Sequence, residues 1–102
     1  MDKQQIERLG DELYDAMRSF KPLAPLTDRE SAIEIDDSYY ISLRMLKRRV
    51  EDDGEKVVGK KIGVTSKAVQ DMLGVFQPDF GFLTDAMEYP NGADVPVAGN
   101  LI

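Results

Sequence analysis

The residues best placed to do chemistry lie in Gly59-Lys60-Lys61-Ile62-Gly63-Val64-Thr65-Ser66. From Val57 the run is β-branched and alternating, the pattern of a strand. Side chains of a strand alternate between its faces. Val58, Lys60, Ile62 and Val64 therefore share one mostly apolar face, and Gly59, Lys61, Gly63 and Thr65 share the other. Glycines on either side of Lys61 would let a ligand approach the backbone closely. The strand then runs into a helix start at Thr65-Ser66, where free N–H groups favour an anion. A lysine beside such a helix end suits a carboxylate substrate. Spacing alone also fits, and more simply, a solvated strand edge on which both lysines discourage edge-to-edge pairing. Asp79 is the second candidate. It follows Pro78 in Gln77-Pro78-Asp79-Phe80-Gly81, turn chemistry in which an aspartate commonly bonds its own backbone. If it faces Lys61, the two side chains could pass a proton between them.

Composition narrows the rest. The chain has neither Cys nor His, which excludes disulfides, thiolate or imidazole zinc sites, and Ser-His-Asp or Cys-His catalysis within it. Proton transfer must use Lys, Asp, Glu or Tyr, and any metal must be a hard cation held by oxygen. Net charge is −6, with 19 acidic against 13 basic residues, so a nucleic-acid partner is not expected. The one basic cluster, Lys47-Arg48-Arg49, is followed at once by Glu51-Asp52-Asp53 and reads as a solvated helix end. The acidic groups match no EF-hand loop and read as solvated caps. The start, Met1-Asp2-Lys3-Gln4-Gln5, has no apolar signal-peptide core, and no apolar run approaches bilayer length. No membrane partner and a cytoplasmic location are expected.

The elements that must position Lys61 and Asp79 can be read by period. Residues 2–20 form an amphipathic helix capped by Asp2, with Gln5 in capping-box position and Ile6, Leu9, Leu13, Met17 and Phe20 as its apolar stripe. Pro22 and Pro25 keep residues 21–35 irregular. A second helix spans 37–52, with Asp36 as cap, Gly54 past its end, and Tyr40, Leu43, Leu46 and Val50 as buried stripe. Strand 57–64 follows, then a short helix over 67–73 capped by Thr65 or Ser66 and stopped by Gly74. Phe82 to Tyr89 reads as a strand, and Val95 to Val97 as a segment that could pair back. The fold class is α+β: two longer helices plus a short helix packed on a small mixed β-sheet, one domain over 1–102.

The motif and its flanks also carry a resemblance. Gly59 to Gln70, then Met72-Leu73-Gly74-Val75 and Gln77-Pro78-Asp79-Phe80-Gly81-Phe82-Leu83, resemble the 2-hydroxypenta-2,4-dienoate (2-keto-4-pentenoate) hydratases of the fumarylacetoacetate hydrolase superfamily. Leu9-Gly10-Asp11-Glu12-Leu13-Tyr14 and Ile41-Ser42-Leu43-Arg44-Met45-Leu46 resemble hydratases of the catechol meta-cleavage pathway, so the likeness runs over essentially the whole chain. It implies a lyase that adds water to a small 2-hydroxy-dienoate, giving 4-hydroxy-2-oxopentanoate in aromatic catabolism. It implies Mg²⁺ or Mn²⁺ in the full-length enzyme, and a homo-oligomer. Lys61 and Asp79 carry over as proton-transfer residues. Lys60 is the alternative lysine should the register differ by one, and Thr65 and Ser66 carry over as lining the substrate carboxylate. The family's metal ligands lie beyond a segment resembling Asn100-Leu101-Ile102, with which this chain closes on two apolar residues. The expectation is therefore an amino-terminal domain without the catalytic metal-binding domain, binding no metal and inactive by itself. The K-I-G-x-T-S element is shared with the sister 4-oxalocrotonate decarboxylases, which leaves a decarboxylase fragment open. A non-catalytic α+β interaction domain is the other reading.

Overall fold

The computed structural model describes residues 1–97. Its elements are α1 (Lys3–Ser19), a 3-10 turn (Leu26–Asp28), α2 (Ile35–Glu51), β1 (Val57–Gly63), α3 (Lys67–Leu73), β2 (Asp79–Thr84) and a second 3-10 turn (Asp85–Met87). The described residues fall into two compact units, one of Met1–Gly54 with residues 89–97, the other of Glu55–Glu88. The class is α+β, as expected. The expected return strand at Val95–Val97 does not form, and among the described residues the sheet is one antiparallel pair of strands, not the expected mixed sheet.

In the first unit, α1 begins as its sequence dictates. Asp2 Oδ1 accepts the Gln5 N–H at 2.8 Å while Gln5 Oε1 accepts the Asp2 N–H at 3.2 Å. The helix ends on Phe20 in the left-handed region, φ 55°, just before Pro22. The cap of α2 lies two residues earlier than expected. Glu34 takes the place given to Asp36, because Asp37 Oδ2 accepts the Glu34 N–H at 2.9 Å and fixes the first turn there. Asp36 and Asp37 then sit inside the first turn, where negative charge complements the helix dipole.

Among the described residues the core lies between α1 and α2, where Leu9, Tyr14 and Ile41 are the buried hydrophobic residues. The expected α2 stripe is rotated: Tyr40, Leu43 and Val50 are exposed, whereas Ile41 is buried and Arg44 and Arg48 turn toward α1. Gly10 explains the rotation. A Cβ there would stand 2.5 Å from Arg44 Cβ and Cγ and 2.9 Å from the Ile41 carbonyl, so α2 packs where α1 has no side chain.

Close approach brings an ionic layer with it. Arg44 grips Asp11 through two bonds, Nε to Oδ1 at 2.9 Å and Nη2 to Oδ2 at 3.2 Å, and Arg48 Nη1 adds a third at 2.9 Å. The Arg48 guanidinium also stacks 4.3 Å from the Tyr14 ring centre. The Tyr14 hydroxyl donates to Asp53 Oδ1 at 2.7 Å, and Arg18 Nε donates to Asp53 Oδ2 at 2.9 Å. Neither Arg48 nor Asp53 is thus the purely solvated charge that the sequence suggested. The side chains converge across the helix pair because long arginines can bury their stems and keep their heads paired.

These contacts set a pH dependence. The hydrogen bond from Arg44 holds the Asp11 carboxyl below the usual carboxylate range, and that from Tyr14 does the same for Asp53. A carboxyl with a lower pKa folded than unfolded contributes stability above its unfolded value, here 3.8, and loses it as the pH falls through the folded value. Helical circular dichroism is expected to hold at neutral pH and to decline in acid below that point. Asp11→Asn should lower stability at neutral pH and flatten the acid limb. An acid limb identical in the variant would show that Asp11 takes no part in it.

In the second unit, β1 and β2 run antiparallel with Lys60 opposite Phe82, Lys61 opposite Gly81, Ile62 opposite Phe80 and Gly63 opposite Asp79. Strand β2 begins inside the expected turn and stops at Thr84, where a 3-10 turn replaces the rest of the expected strand to Tyr89. A bulge between Val57 and Gly59 places two β1 residues against Thr84. The base of the hairpin is tied by Thr84 Oγ1 donating to Glu55 Oε1 at 2.5 Å and by reciprocal bonds of 2.9 Å between Lys56 and Asp85. Glu55 and Thr84 are buried.

Candidate functional site

Cross-strand partners in an antiparallel ladder point to the same face. Lys61, Gly63, Asp79 and Gly81 therefore share one side of the hairpin, and Lys60, Ile62, Phe80 and Phe82 share the other. Lys61 and Asp79 are diagonal neighbours, a separation of roughly 7–8 Å between backbones that a lysine side chain can bridge. The ladder thus puts Lys61 and Asp79 on one face, with no ion pair between them.

The glycines serve that pair in a way the sequence did not suggest. A Cβ at Gly81 would meet Lys61 Cγ at 3.1 Å and Cδ at 3.3 Å, so the lysine stem lies across Gly81. A Cβ at Gly63 would overlap the Asp79 carboxylate oxygen Oδ1. Each glycine gives its space to the charged side chain opposite it. Gly59, by contrast, sits in open contact with Leu83, 3.7 Å from Cδ1. Lys61 and Asp79 are both exposed, and no ion pair joins either to another group among the described residues. Lys61 is therefore free to reach a ligand.

Lys60 is placed differently. Its ammonium lies 5.8 Å from the Phe82 ring centre on the opposite face. Of the two lysines, only Lys61 shares a face with Asp79.

Thr65 does not continue the Lys61 face. The strand stops at Gly63, and Val64 turns the chain with φ 55°. A β-branched residue in the left-handed region is a backbone outlier. The turn is held by Gln70 Nε2, which donates to the Val64 carbonyl at 3.0 Å. Ser66 then caps α3, its hydroxyl oxygen accepting the Val69 N–H at 3.2 Å, and Gly74 closes the helix at φ 70°. The Ser66 oxygen is thus engaged by its own helix, a role the sequence allowed to either Thr65 or Ser66. The Val64 conformation costs about 1–2 kcal/mol relative to an unstrained residue, against roughly 0.5–1 kcal/mol for the extra entropy of glycine. Val64→Gly is expected to leave urea stability unchanged or raise it slightly. A clear loss would mean that packing of the half-buried valine side chain outweighs the strain.

No three Asp or Glu residues converge into a cation site among the described residues. Asp79 is one carboxylate beside a lysine, a donor set that does not fit a divalent ion by itself. The segment Asn100-Leu101-Ile102, on which the family likeness placed the approach to the metal ligands, lies outside the described residues.

Comparison with known proteins decides the family. All 102 residues align at 60% identity with a 2-hydroxypent-2,4-dienoate hydratase of Pseudomonas putida. A 2-hydroxyhexa-2,4-dienoate hydratase of Comamonas testosteroni is 63% identical over 92% of the chain. The chain belongs to the 2-keto-4-pentenoate hydratase family. It spans 46% and 35% of the lengths of those two hydratases. No family model matches it. Among solved structures, the 4-oxalocrotonate decarboxylase of Pseudomonas putida G7, complexed with magnesium and adipate, superposes with a TM-score of 0.76 at 29% identity, over 84% of this chain and 32% of that one. The same decarboxylase is also solved with calcium and acetate. Identity to these two hydratases is thus about twice that to the decarboxylase, whose fold this chain shares over the matched span.

Proposed function

We propose that this hydratase-family chain contributes the proton-transfer face of an enzyme that hydrates a 2-hydroxy-2,4-dienoate. The observation that carries the reading is the shared face of Lys61 and Asp79 in a chain 60% identical to a dienoate hydratase. A carboxylate accepts a proton and an ammonium donates one, so the pair holds both functions that the reaction needs. Conversion of the dienol to the 2-oxo-3-enoate removes the hydroxyl proton at C2 and adds one at C5. Hydration then puts the water's hydroxyl on C4 and a proton on C3. Lys61 also offers a positive charge to the substrate carboxylate, and Thr65 lies at the turn beyond it.

The ligands of a divalent metal in the complete enzyme are proposed to lie mainly outside residues 1–97, in line with the family likeness. Magnesium accompanies the decarboxylase neighbour, and manganese is the other candidate ion. The catalytic metal-binding portion is accordingly proposed to lie outside this domain, with a cytoplasmic homo-oligomer of aromatic catabolism as the setting of the whole. No helix among the described residues is long and apolar enough to cross a membrane.

The test is the loss of dienoate absorbance on adding Mg²⁺ or Mn²⁺, with product analysis. The 102-residue chain alone is expected to be inactive, and turnover by it would refute the division of labour proposed here. Continued by the part of the Pseudomonas putida hydratase outside the match, it is expected to form 4-hydroxy-2-oxopentanoate. Carbon dioxide release from 4-oxalocrotonate by that fusion would favour the decarboxylase reading instead.

A further inference from the structure

Val64 is the joint between β1 and α3, and its conformation is not one that valine favours. Extended backbone there would carry Thr65 onto the strand face of Lys61 and Gly63. Instead φ is 55°, in the left-handed region, which a β-branched residue keeps only where its surroundings hold it. Gln70 supplies the hold. Its side-chain Nε2 donates to the Val64 carbonyl at 3.0 Å, and its backbone N–H donates to the Ser66 carbonyl at 3.0 Å. One residue thus ties the carbonyls on both sides of Thr65. Gln70 is itself anchored, because its carbonyl accepts the Val75 N–H at 3.0 Å where Gly74 closes α3. Gln70 is half-buried, and Thr65 between the two ties is exposed.

We propose that Gln70 is a positioning residue of the dienoate site: by clamping the Val64 turn it keeps Thr65 where it meets the substrate carboxylate. The inference rests on the hydratase reading, in which Lys61 and Thr65 receive that carboxylate. The chemistry of the clamp calls for an amide of this length. A carboxylate of the same size would set oxygen against the carbonyl oxygen, and asparagine is one methylene shorter. Ser66 cannot serve, because its hydroxyl oxygen is taken up by the Val69 N–H. The effect on the reaction is one of population. Without the clamp, valine returns toward extended backbone, and only a fraction of the molecules present Thr65. Substrate then binds more weakly by that fraction, while the molecules that do bind react at the usual rate. KM rises and kcat stays. Glycine takes a positive φ without strain, so Val64→Gly lessens the need for the clamp.

Steady-state kinetics of the fusion carrying Gln70→Met tests it, since methionine keeps the unbranched stem and loses the donor. KM for the dienoate is expected to rise about tenfold, with kcat within about twofold of the parent. In a Val64→Gly background the same change is expected to raise KM about threefold at most. A merely structural glutamine gives another pattern: kcat falls with the folded fraction, KM holds, and Val64→Gly restores nothing. That pattern, or an unchanged KM, overturns the proposal. An equal rise in both backgrounds overturns it too, because Gln70 would then act by a route other than Val64. Should Gln70→Met not fold, Gln70→Asn is read in its place with the same expected rise. Failure of both to fold would make Gln70 structural and overturn the proposal equally. The Val64 Cα and Cβ chemical shifts of the same proteins are expected to move from left-handed toward extended values when the clamp is lost, and unmoved shifts count against it. A parent fusion without turnover removes the hydratase reading, and the Val64 shifts then still decide whether Gln70 holds the turn.

Discussion

With Lys61 replaced by methionine, dienoate hydration by the fusion is expected to fall by about 10²–10⁴, the usual range for loss of a general acid or base. Methionine keeps an unbranched stem to lie across Gly81, where the lysine Cγ and Cδ now rest, so the change removes the ammonium and little else. Lys60→Met is the control. Its ammonium faces Phe82 on the other side of the hairpin, and its loss is expected to leave turnover nearly unchanged. Asp79→Asn should resemble Lys61→Met if the two act as one unit, and the double variant should then cost little more than either alone. Steady-state turnover of the four proteins measures this. Equal defects at Lys60 and Lys61 would mean that both act through general positive charge, and the assignment of a proton to Lys61 would fail.

The second large effect is structural. Gly10→Val is expected to destabilise the helix pair by about 3 kcal/mol or more, at the upper end of overpacking costs. The new Cβ would strike the Ile41 carbonyl, which is backbone and cannot swing aside, as well as the Arg44 stem. Separation of the helices would then loosen the grip of Arg44 on Asp11. For a domain of this size the midpoint of thermal unfolding should drop by roughly 10–20 °C. Gly10→Ala should show a smaller drop in the same direction. A Gly10→Val variant that melts with the parent would mean that the helices pack elsewhere.

Much of this was legible in the sequence, for local reasons. The α1 capping box, the Ser66 cap and the Gly74 stop are decided within four residues of the chain, and all three formed. The face of α2 was misread because Gly10, on another element, chooses which residues may approach; a glycine in α1 decides the rotation of α2. The start of β2 was misread for a related reason. Pro78-Asp79 has turn chemistry, but Asp79 is drawn into the ladder opposite Gly63, and cross-strand partners are not visible in local composition. At the site, strand alternation correctly separated Lys60 from Lys61. It failed at Thr65 because the left-handed turn at Val64 ends the alternation, and valine gives no warning of such a conformation. Arg48 and Asp53 looked like solvent charges because their partners, Asp11 and Tyr14, lie 37 and 39 residues away.

The exchange of space between the glycines and the charged pair has a consequence for inheritance. Positions 63 and 79 are spatially one locus, as are 61 and 81, because a Cβ at 63 would displace the Asp79 carboxylate oxygen and one at 81 would press on the Lys61 stem. An alanine at 63 would turn the exposed Asp79 carboxylate aside, at little cost in stability but away from its present place, and would displace nothing once 79 is glycine. Lineages leaving this chemistry would therefore be expected to lose the aspartate first and gain a side chain at 63 afterwards. The reverse order passes through a chain whose carboxylate is turned out of its present place.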